Sequence, residues 1–275
     1  MEKPISTISR ALILDGQLSL AVLDTASLVQ EAANRHHLKG DALTVLGNTL
    51  TAAGYLSSWL KGAQSSLTIS ILSEGDFGRV SVLGDGNLNL RGYVENAACE
   101  SGRLGKGTLS VVRDDRQGLP FAGTVPLVSE EIAPNFAAYF SESEQIQTEI
   151  VLALTQEGER VVHAGGVILQ ALPFASDEAR SRMQGDAAQL KKLLLAGEYS
   201  QIFDEFGVQK TDTREVRFAC SCSEERVESL LMSMGKEQAL ALLKEEGQIS
   251  VHCEYCNKDY VFGQARIRKL FKKHE

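Results

Sequence analysis

The sequence lacks the long hydrophobic run and the secretory signal that would direct it into or across a membrane. Its longest apolar candidate, Val161 to Ala175, is interrupted by His163 and Gln170, whereas a membrane-spanning helix needs about 18 or more apolar residues in succession. The start, Met1-Glu2-Lys3-Pro4, carries an acidic residue and a proline where a signal peptide has a basic start that leads into an apolar run. We therefore expect a cytoplasmic protein with reduced thiols and no membrane partner.

Positive charge is also scarce. The chain carries 28 lysines and arginines against 36 aspartates and glutamates, a formal net charge of -8 at pH 7. Because proteins that bind nucleic acids usually present a basic face to the phosphate backbone, we expect no nucleic-acid partner. The C-terminal stretch from Arg266 to Lys273 is locally basic, and we interpret it as the solvated face of a helix.

Sequence motifs typical of enzymes are missing. The glycine-rich stretches 75–78 and 102–107 lack the Lys-Ser/Thr pair that completes a phosphate-binding loop. No arrangement of serine, histidine and aspartate indicates a nucleophile, and His36 and His37 are adjacent rather than four residues apart, as on a metal-binding helix. We expect no enzymatic activity, and hence no catalytic residues and no residues for an organic cofactor.

Cysteines are few but unevenly placed. Four of the five, Cys220, Cys222, Cys253 and Cys256, lie in the last fifth or so of the chain, as a Cys-x-Cys pair and a Cys-x-x-Cys pair thirty residues apart. Tetrahedral zinc sites are assembled from two such pairs. The second pair fits a tight turn, and in an extended segment the first pair would share one face. We predict one zinc ion per chain on these four sulfurs in the reduced state; the alternative is two unrelated pairs of reduced thiols.

Two other residues with metal-binding or reactive side chains are not assigned to the site. His252 adjoins Cys253, but its side chain would point the other way in a strand, so we expect a surface or packing role. Cys99 has no partner in the sequence, and we interpret it as a small packed hydrophobic residue.

Hydrophobic periodicity predicts an α+β fold. Alternating apolar residues around Asp15-Gly16 indicate a hairpin. A helical pattern runs from Leu28 to Leu60 and stops at Lys61-Gly62. Alternating segments from Leu67 to Gln170 indicate an antiparallel sheet, with a short helix opened by Ser129.

The character of the sequence changes after Pro173. From Ser176 an amphipathic helical pattern predicts a helical linker, although an ordinary helix of the first domain fits equally well. The helical segments between the cysteine pairs offer only a thin core, so folding there should depend on the metal. We predict an N-terminal mixed α/β domain with an antiparallel sheet at 1–175, a helical linker at 176–212 and a small four-cysteine zinc module at 213–275.

The cysteine segments resemble those of a known family. The runs from Phe218 to Val227 and from Val251 to Asn257 are similar to the signature of the heat shock protein 33 family of redox-regulated bacterial chaperones. The resemblance covers nearly the whole chain, because four shorter motifs occur in the family's order. These are Gly84-Asp85-Gly86, Arg91-Gly92-Tyr93-Val94, Ser143-Glu144-Gln145 and Ala164-Gly165-Gly166.

The resemblance implies a holdase, a chaperone that binds unfolded client proteins without ATP and prevents their aggregation under oxidative stress. It also implies that zinc on the four cysteines keeps the reduced form inactive, that oxidants together with unfolding conditions activate the protein, and that the active, oxidised form is a homodimer. The domain at 1–175 would then bind clients and dimerise, and the module at 213–275 would be the redox switch.

In line with the resemblance, we predict that oxidation joins Cys220 to Cys222 and Cys253 to Cys256. Four cysteines allow three pairings. The predicted one closes only tiny loops, so the long-range constraint would disappear with the metal, and the linker and module would unfold. Two alternatives stay open: a constitutive zinc-stabilised binding protein, and a thiol-disulfide oxidoreductase that uses Cys253 and Cys256.

Overall fold

The computed structural model describes residues 5–185 and 187–272. The N-terminal segment Met1-Glu2-Lys3-Pro4 and the last basic residue of the C-terminal stretch, Lys273, lie outside the described residues. The chain divides into two compact units between Ala219 and Cys220. The sequence placed the start of the module at residue 213, but residues 212–218 form a strand of the larger unit.

A ten-stranded sheet is the framework of the larger unit. Its strands are β1 (Ser6–Ile13), β2 (Leu18–Asp24), β3 (Ser66–Ser73), β4 (Arg79–Asp85), β5 (Asn89–Val94), β6 (Gly107–Asp114), β7 (Phe121–Pro126), β8 (Thr148–Glu157), β9 (Arg160–Ala171) and β10 (Asp212–Phe218). They are arranged in the order β7-β6-β3-β4-β5-β10-β1-β2-β9-β8. The pairing is antiparallel, as predicted, except that β10 runs parallel to β5.

Helices lie against this sheet. They are α1 (Ala26–His36), α2 (Gly40–Ser57), α3 (Ile132–Tyr139), α4 (Asp177–Gly185), α5 (Ala187–Ala196) and α6 (Tyr199–Glu205), with a π-helical turn at Phe140–Glu144. Throughout the described residues, every helix is too short or too polar to cross a membrane.

The first hairpin forms where the sequence predicts it. β1 and β2 pair antiparallel from Thr7 with Asp24 to Ile13 with Leu18. The reversal uses left-handed backbone at Leu14 and Asp15 as well as at Gly16, whose φ is +80°. Glycine adopts that conformation without a steric cost, so the Asp-Gly pair is a reliable turn signal.

The prediction of one helical stretch from Leu28 to Leu60 is wrong in one respect, because this stretch forms two helices. His37 adopts a left-handed conformation with φ +55°, and its backbone N–H donates to the carbonyl of Ala33, which ends α1. α2 then begins at Gly40 and ends at Ser57, before the predicted stop. Periodicity does not reveal this break, because buried residues continue at helical spacing on both sides of it.

The two faces of the sheet contribute to two different cores, because alternate residues of a strand point in opposite directions. On β2, Ala21 and Leu23 join the core that contains α1, α2 and α3. Leu18, Leu20 and Val22 face the other way and pack with α4, α5 and α6, which we call the linker helices. The linker helices contribute Met183, Leu190, Leu193, Leu194, Ile202 and Phe203 to this second core. The predicted amphipathic segment is therefore helical and lies on an apolar face of the sheet.

The smaller unit has its own limited core. It contains α7 (Glu224–Met234), α8 (Lys236–Glu246), the antiparallel hairpin of β11 (Gln248–Cys253) and β12 (Lys258–Gly263), and α9 (Gln264–Lys272). The buried residues are Val227, Leu231, Ala239, Leu243, Ile249, Tyr260, Phe262 and Ile267. The large sheet, the helices and this four-cysteine unit together confirm the predicted α+β class.

Candidate metal centre

The second cysteine pair is held by the turn between β11 and β12. Cys253 ends β11, and its carbonyl accepts hydrogen bonds from the N–H groups of Cys256, over 3.2 Å, and Asn257, over 2.8 Å. Asn257 has a φ of +54°, a left-handed conformation that asparagine tolerates better than most residues. This is the tight turn predicted for Cys-x-x-Cys.

The first pair lies in an irregular segment that precedes α7. Ser223 caps α7, since its side chain accepts the N–H of Arg226 over 3.3 Å. The guanidinium of Arg226 in turn donates to the carbonyl of Ser221 over 2.9 Å. Helix cap and guanidinium thus fix the backbone between Cys220 and Cys222 from its C-terminal side.

The four sulfurs of the two pairs come together. The Sγ of Cys220 lies 3.8 Å from that of Cys253, and the Sγ of Cys222 lies 3.3 Å from that of Cys256. All four lie within 4.8 Å of one another. Both measured distances are far above the roughly 2.05 Å of a disulfide bond, so the four cysteines are free thiols.

The donor set fits zinc. Sulfurs about 2.3 Å from a central ion at the corners of a tetrahedron are about 3.8 Å apart, the scale of the distances found here. Four cysteines and no oxygen ligand favour zinc over magnesium or calcium, which prefer oxygen. Cys256 is buried and the other three cysteines are half-buried, so the thiols can reach an ion without opening the fold.

The thiols differ in acidity. Burial acts to raise the pKa of Cys222, but hydrogen bonds from Tyr260 and the neighbouring cysteines lower it to about 7. Burial and the adjacent sulfurs raise the pKa of Cys220 to about 11 and hold that of Cys256 well above its ordinary value. Negative charge therefore accumulates first on Cys222, and full ionisation of the cluster calls for a cation.

A tyrosine contacts the cluster. Tyr260 on β12 is only 3% exposed, and its hydroxyl donates to the Sγ of Cys222 over 3.1 Å. The same hydrogen bond raises the pKa of the Tyr260 phenol, because the ionised sulfur stabilises the protonated hydroxyl. Its ring packs with the buried residues of the smaller unit and lies 4.7 Å from the ammonium nitrogen of Lys258.

The other residues singled out in the sequence lie outside the cluster. The exposed imidazole of His252 pairs with Asp259, with Nδ1 and Oδ1 2.7 Å apart. Cys99 is half-buried in the larger unit and packs against its core. Across residues 5–185 and 187–272, the four cysteines are the one group of three or more potential metal ligands, so His36 and His37 do not contribute to one.

The sequence profile of the Hsp33 protein family matches residues 6–263, which include all four cysteines and most of both units. The chain belongs to this family. Two bacterial 33 kDa chaperonins are similar to this chain over nearly the full length. The 33 kDa chaperonin of Bacillus cytotoxicus is 32% identical over 96% of this chain and 97% of its own length. That of Acetivibrio thermocellus is 32% identical over 96% of each chain.

A solved Hsp33 structure has the same fold. The crystal structure of the 33 kDa chaperonin from Thermotoga maritima, a heat shock protein 33 homologue, superposes with a TM-score of 0.83. It is 28% identical and covers 99% of this chain and 100% of its own. Membership of a family of chaperonins supports a chaperone function for this protein.

Sequence reasoning found the four cysteines but missed Tyr260. Nothing in the residue pattern distinguishes it from an ordinary inward-facing strand residue, because its contact with Cys222 joins segments 38 residues apart. Part of the basic C-terminal stretch is also paired: Arg266 on α9 binds Glu224 over 2.6 Å and Glu228 over 2.8 Å. Arg268 and Lys269 are exposed, in agreement with a solvated helix face.

Proposed function

We propose that this Hsp33 protein is a redox-regulated, ATP-independent holdase that prevents aggregation of unfolded proteins under oxidative stress. The observation that carries the proposal is the meeting of four free thiols from two distant segments in a unit with a limited core. The folding of such a unit depends on a cross-link between its two cysteine-bearing segments. An oxidant can remove a cross-link made through thiols, because it converts thiols into disulfides. We assign no catalytic step to the protein.

In the reduced, inactive state Cys220, Cys222, Cys253 and Cys256 would hold one zinc ion per chain. Bound there, the ion supplies a tetrahedral cross-link between the segment before α7 and the β11–β12 hairpin. In small metal-dependent peptides such a link provides roughly 10–16 kcal/mol of apparent binding energy, which is available for folding. The cysteines contribute the thiolates, and the surrounding core positions them.

Activation would follow from disulfide formation within each pair, Cys220 with Cys222 and Cys253 with Cys256. Each disulfide takes two electrons from two thiolates, and a peroxide that accepts them is reduced to water. Sulfurs joined in this way no longer bind the metal. Because each new loop is very short, it restricts the unfolded chain little, and the two halves of the smaller unit lose their connection.

Unfolding of the smaller unit would then affect the larger unit through the polypeptide segment that connects them. Phe218 ends β10, and Cys220 follows two residues later, so the strand and the first cysteine pair are continuous. The linker helices precede β10, with residues 206–211 between them. If the module unfolds and the linker helices leave the sheet, the aliphatic face formed by Leu18, Leu20, Val22 and their neighbours becomes exposed. An apolar patch of this kind binds unfolded clients by non-directional contact.

The remaining parts of the proposal follow the family resemblance. The active, oxidised form would be a homodimer in the cytoplasm, with unfolded proteins as partners and neither nucleic acid nor a membrane as a ligand. Sedimentation velocity of the reduced and oxidised protein at one concentration tests the dimer. A reduced protein that is already fully dimeric, or an oxidised one that stays monomeric, contradicts it.

Aggregation suppression measured together with zinc content is the decisive experiment. Reduced and peroxide-treated samples are added to a heat-unfolded enzyme, and released zinc is titrated with a colorimetric chelator in the same tubes. We expect suppression only in the oxidised sample, with loss of one zinc per chain. Cys99→Ser serves as the control, because Cys99 lies outside the cluster.

Other outcomes identify the alternatives. Suppression by the reduced protein with zinc retained under peroxide indicates a constitutive zinc-stabilised binding protein. Turnover of a dithiol substrate indicates a thiol-disulfide oxidoreductase. Oxidised, zinc-free protein that fails to suppress aggregation contradicts the holdase, and peptide mapping that finds mainly bonds between the two pairs contradicts the proposed pairing.

A further inference from the structure

Tyr260 forms a link between the two cysteine pairs that does not involve a metal. It lies on β12, in the hairpin that carries Cys253 and Cys256, and its register partner on β11 is Val251. Its hydroxyl, however, reaches Cys222 of the other pair over 3.1 Å. The phenol therefore fixes one ligand of the first pair against the hairpin of the second.

The surroundings of Tyr260 make its position rigid. Its side chain is 3% exposed and belongs to the buried cluster of the smaller unit, together with Phe262 and Ile249. A buried hydroxyl needs a hydrogen-bond acceptor, since burial has removed the water that would otherwise pair with it. The sulfur of Cys222 provides that acceptor. Packing of the ring thus fixes the position of the Tyr260 hydroxyl, and the hydrogen bond from this hydroxyl fixes the Sγ of Cys222.

Charge favours the same contact. Four thiolates around one divalent cation carry a net charge of -2, and a hydrogen-bond donor at a ligand sulfur reduces the repulsion among them. Lys258, which lies over the Tyr260 ring at 4.7 Å from its centroid, strengthens the donor because a cation over the ring draws electron density from the phenol. Lys258 itself is exposed and needs no desolvation to act in this way.

We propose that Tyr260 is a positioning residue of the metal centre: its hydroxyl holds Cys222 in place, increases the affinity for the metal and slows oxidation of the Cys220–Cys222 pair. This inference rests on the proposed zinc site. The rate at which the first cysteine pair reacts would thus be set in part by Tyr260, a side chain that is not itself a metal ligand.

The hydrogen bond acts on the first step of oxidation. One thiolate attacks a peroxide oxygen, so that an S–O bond forms, the O–O bond breaks and hydroxide leaves. The second thiolate attacks the sulfenic sulfur; the S–S bond forms, the S–O bond breaks and a second hydroxide leaves. Two electrons pass from the sulfurs to the peroxide, and two protons convert the hydroxides to water. A donated hydrogen bond withdraws electron density from the attacking sulfur and slows the first attack.

Tyr260→Phe in the full-length protein tests the proposal, with Co²⁺ as the metal probe. The phenylalanine keeps the ring, its packing and the Lys258 contact, and removes only the hydroxyl. We expect Co²⁺ affinity to fall by about tenfold or more, the sulfur-to-cobalt charge-transfer band to move to longer wavelength, and the Cys220–Cys222 disulfide to form severalfold faster in thiol-labelling mass spectrometry. Lys258→Gln, at an exposed position, should change all three in the same direction by less.

Tyr55→Phe is the matched control, since it also removes a buried hydrogen-bonded hydroxyl but from the larger unit, which contains none of the four cysteines. It should leave all three readouts unchanged. A folded Tyr260→Phe protein with wild-type affinity, band and rate overturns the inference, and so does one that only melts at lower temperature. A wild-type protein that gives no cobalt-thiolate spectrum overturns the metal centre itself, which separates the two failures.

Discussion

The imidazole of His163 on β9 lies directly against Gly197, which follows α5. A β-carbon at Gly197 would come within 2.4 Å of His163 Cε1, and the φ of Gly197 is +72°. The N–H of Gly197 donates to the carbonyl of Leu194 and that of Glu198 to Leu193, which closes the end of α5. Two residues later the hydroxyl of Tyr199 donates to the carbonyl of Ala164 over 3.1 Å. This turn therefore fastens the linker helices to the sheet.

Gly197→Ala should loosen the linker helices. The alanine would occupy a left-handed conformation, at a cost of about 1–2 kcal/mol, and would also press on the ring of His163. We expect faster hydrogen exchange in peptides from residues 190–206 of the reduced protein and, on the proposed mechanism, some aggregation suppression without oxidant.

Gly207→Ala is the control for that change. Gly207 has a φ of +62° but nothing within 4 Å of its added β-carbon, so it bears the conformational cost without the contact. Equal exchange rates in the two variants would show that the contact with His163 does not hold the linker helices.

Asp24 should make the attachment of α6 depend on pH. It lies between two cavities of about 610 and 490 Å³ that both reach Tyr199. Burial raises the pKa of the Asp24 carboxyl, while the N–H of Ala26 and the charge of His163 lower it. A raised pKa in the attached state means that protonation favours attachment. The stabilisation of the attached state by protonated Asp24 is fully present below the ordinary aspartate pKa of about 4, and it is lost as the pH rises through the raised pKa.

Hydrogen exchange of peptides from residues 199–205, corrected for intrinsic rates at each pH, measures this dependence. Protection should fall as the pH rises above about 4 in the wild type. Asp24→Asn should flatten the profile because the amide does not titrate, while its side-chain oxygen can still accept from the N–H of Ala26. Asp204→Asn is the control, an exposed carboxylate lining the same cavity. If Asp24→Asn keeps the wild-type slope, Asp24 is not the titrating group.

Cys222→Ser should remove the metal and unfold the smaller unit while the large sheet stays folded. Three sulfurs remain, and the core of eight buried residues is too small to fold the unit alone. Metal content after gel filtration and hydrogen exchange of residues 248–263 provide the measurements. Cys99→Ser should keep one metal per chain and normal protection. A Cys222→Ser protein that retains stoichiometric metal contradicts the four-cysteine site.

Glu144 should be important for the stability of the larger unit. It pairs with Arg113 over 2.6 Å, with both side chains less than 20% exposed, and accepts the hydroxyl of Tyr139. Since removal of one partner leaves the other charge unpaired, Glu144→Gln should lower the free energy of unfolding by about 3 kcal/mol. The exposed pair of Glu159 with Lys39 is the control, and Glu159→Gln should cost less than about 0.5 kcal/mol.

Urea unfolding followed by the fluorescence of Trp59 measures both variants, because Trp59 is the only tryptophan of the chain and lies in the larger unit. Arg113 lies 5.4 Å from its ring centroid, so the probe is next to the changed pair. Equal losses in the two variants would show that burial of the Glu144 pair does not matter.

Local chemistry accounts for what could be predicted from the sequence. The β1–β2 hairpin follows from Asp15-Gly16, and the turn at Cys253–Cys256 follows from the spacing, since in each case neighbouring residues dictate the backbone. The meeting of the two cysteine pairs was predicted because tetrahedral zinc sites are assembled from two close pairs of this kind.

Long-range and context-dependent features could not be predicted. The break after α1 depends on the left-handed conformation of His37, and the nearest glycine, Gly40, comes three residues later, at the start of α2 rather than at the end of α1. The pairing of β10 with β1 joins residues about 200 positions apart, and no periodic pattern specifies such a partner. The contact of Tyr260 with Cys222 likewise exists only once the smaller unit has folded.

The position of β10 has a mechanical consequence. Among the described strands it lies between β5 and β1, and it pairs with β5 through two register pairs, Arg217 with Asn89 and Phe218 with Leu90. Withdrawal of this one strand would part the sheet into a five-stranded and a four-stranded piece. The strand that joins these two pieces of the sheet, β10, is thus part of the segment that connects the linker helices to Cys220. A force applied at the first cysteine pair would therefore act on an internal strand of the sheet and not on an edge strand.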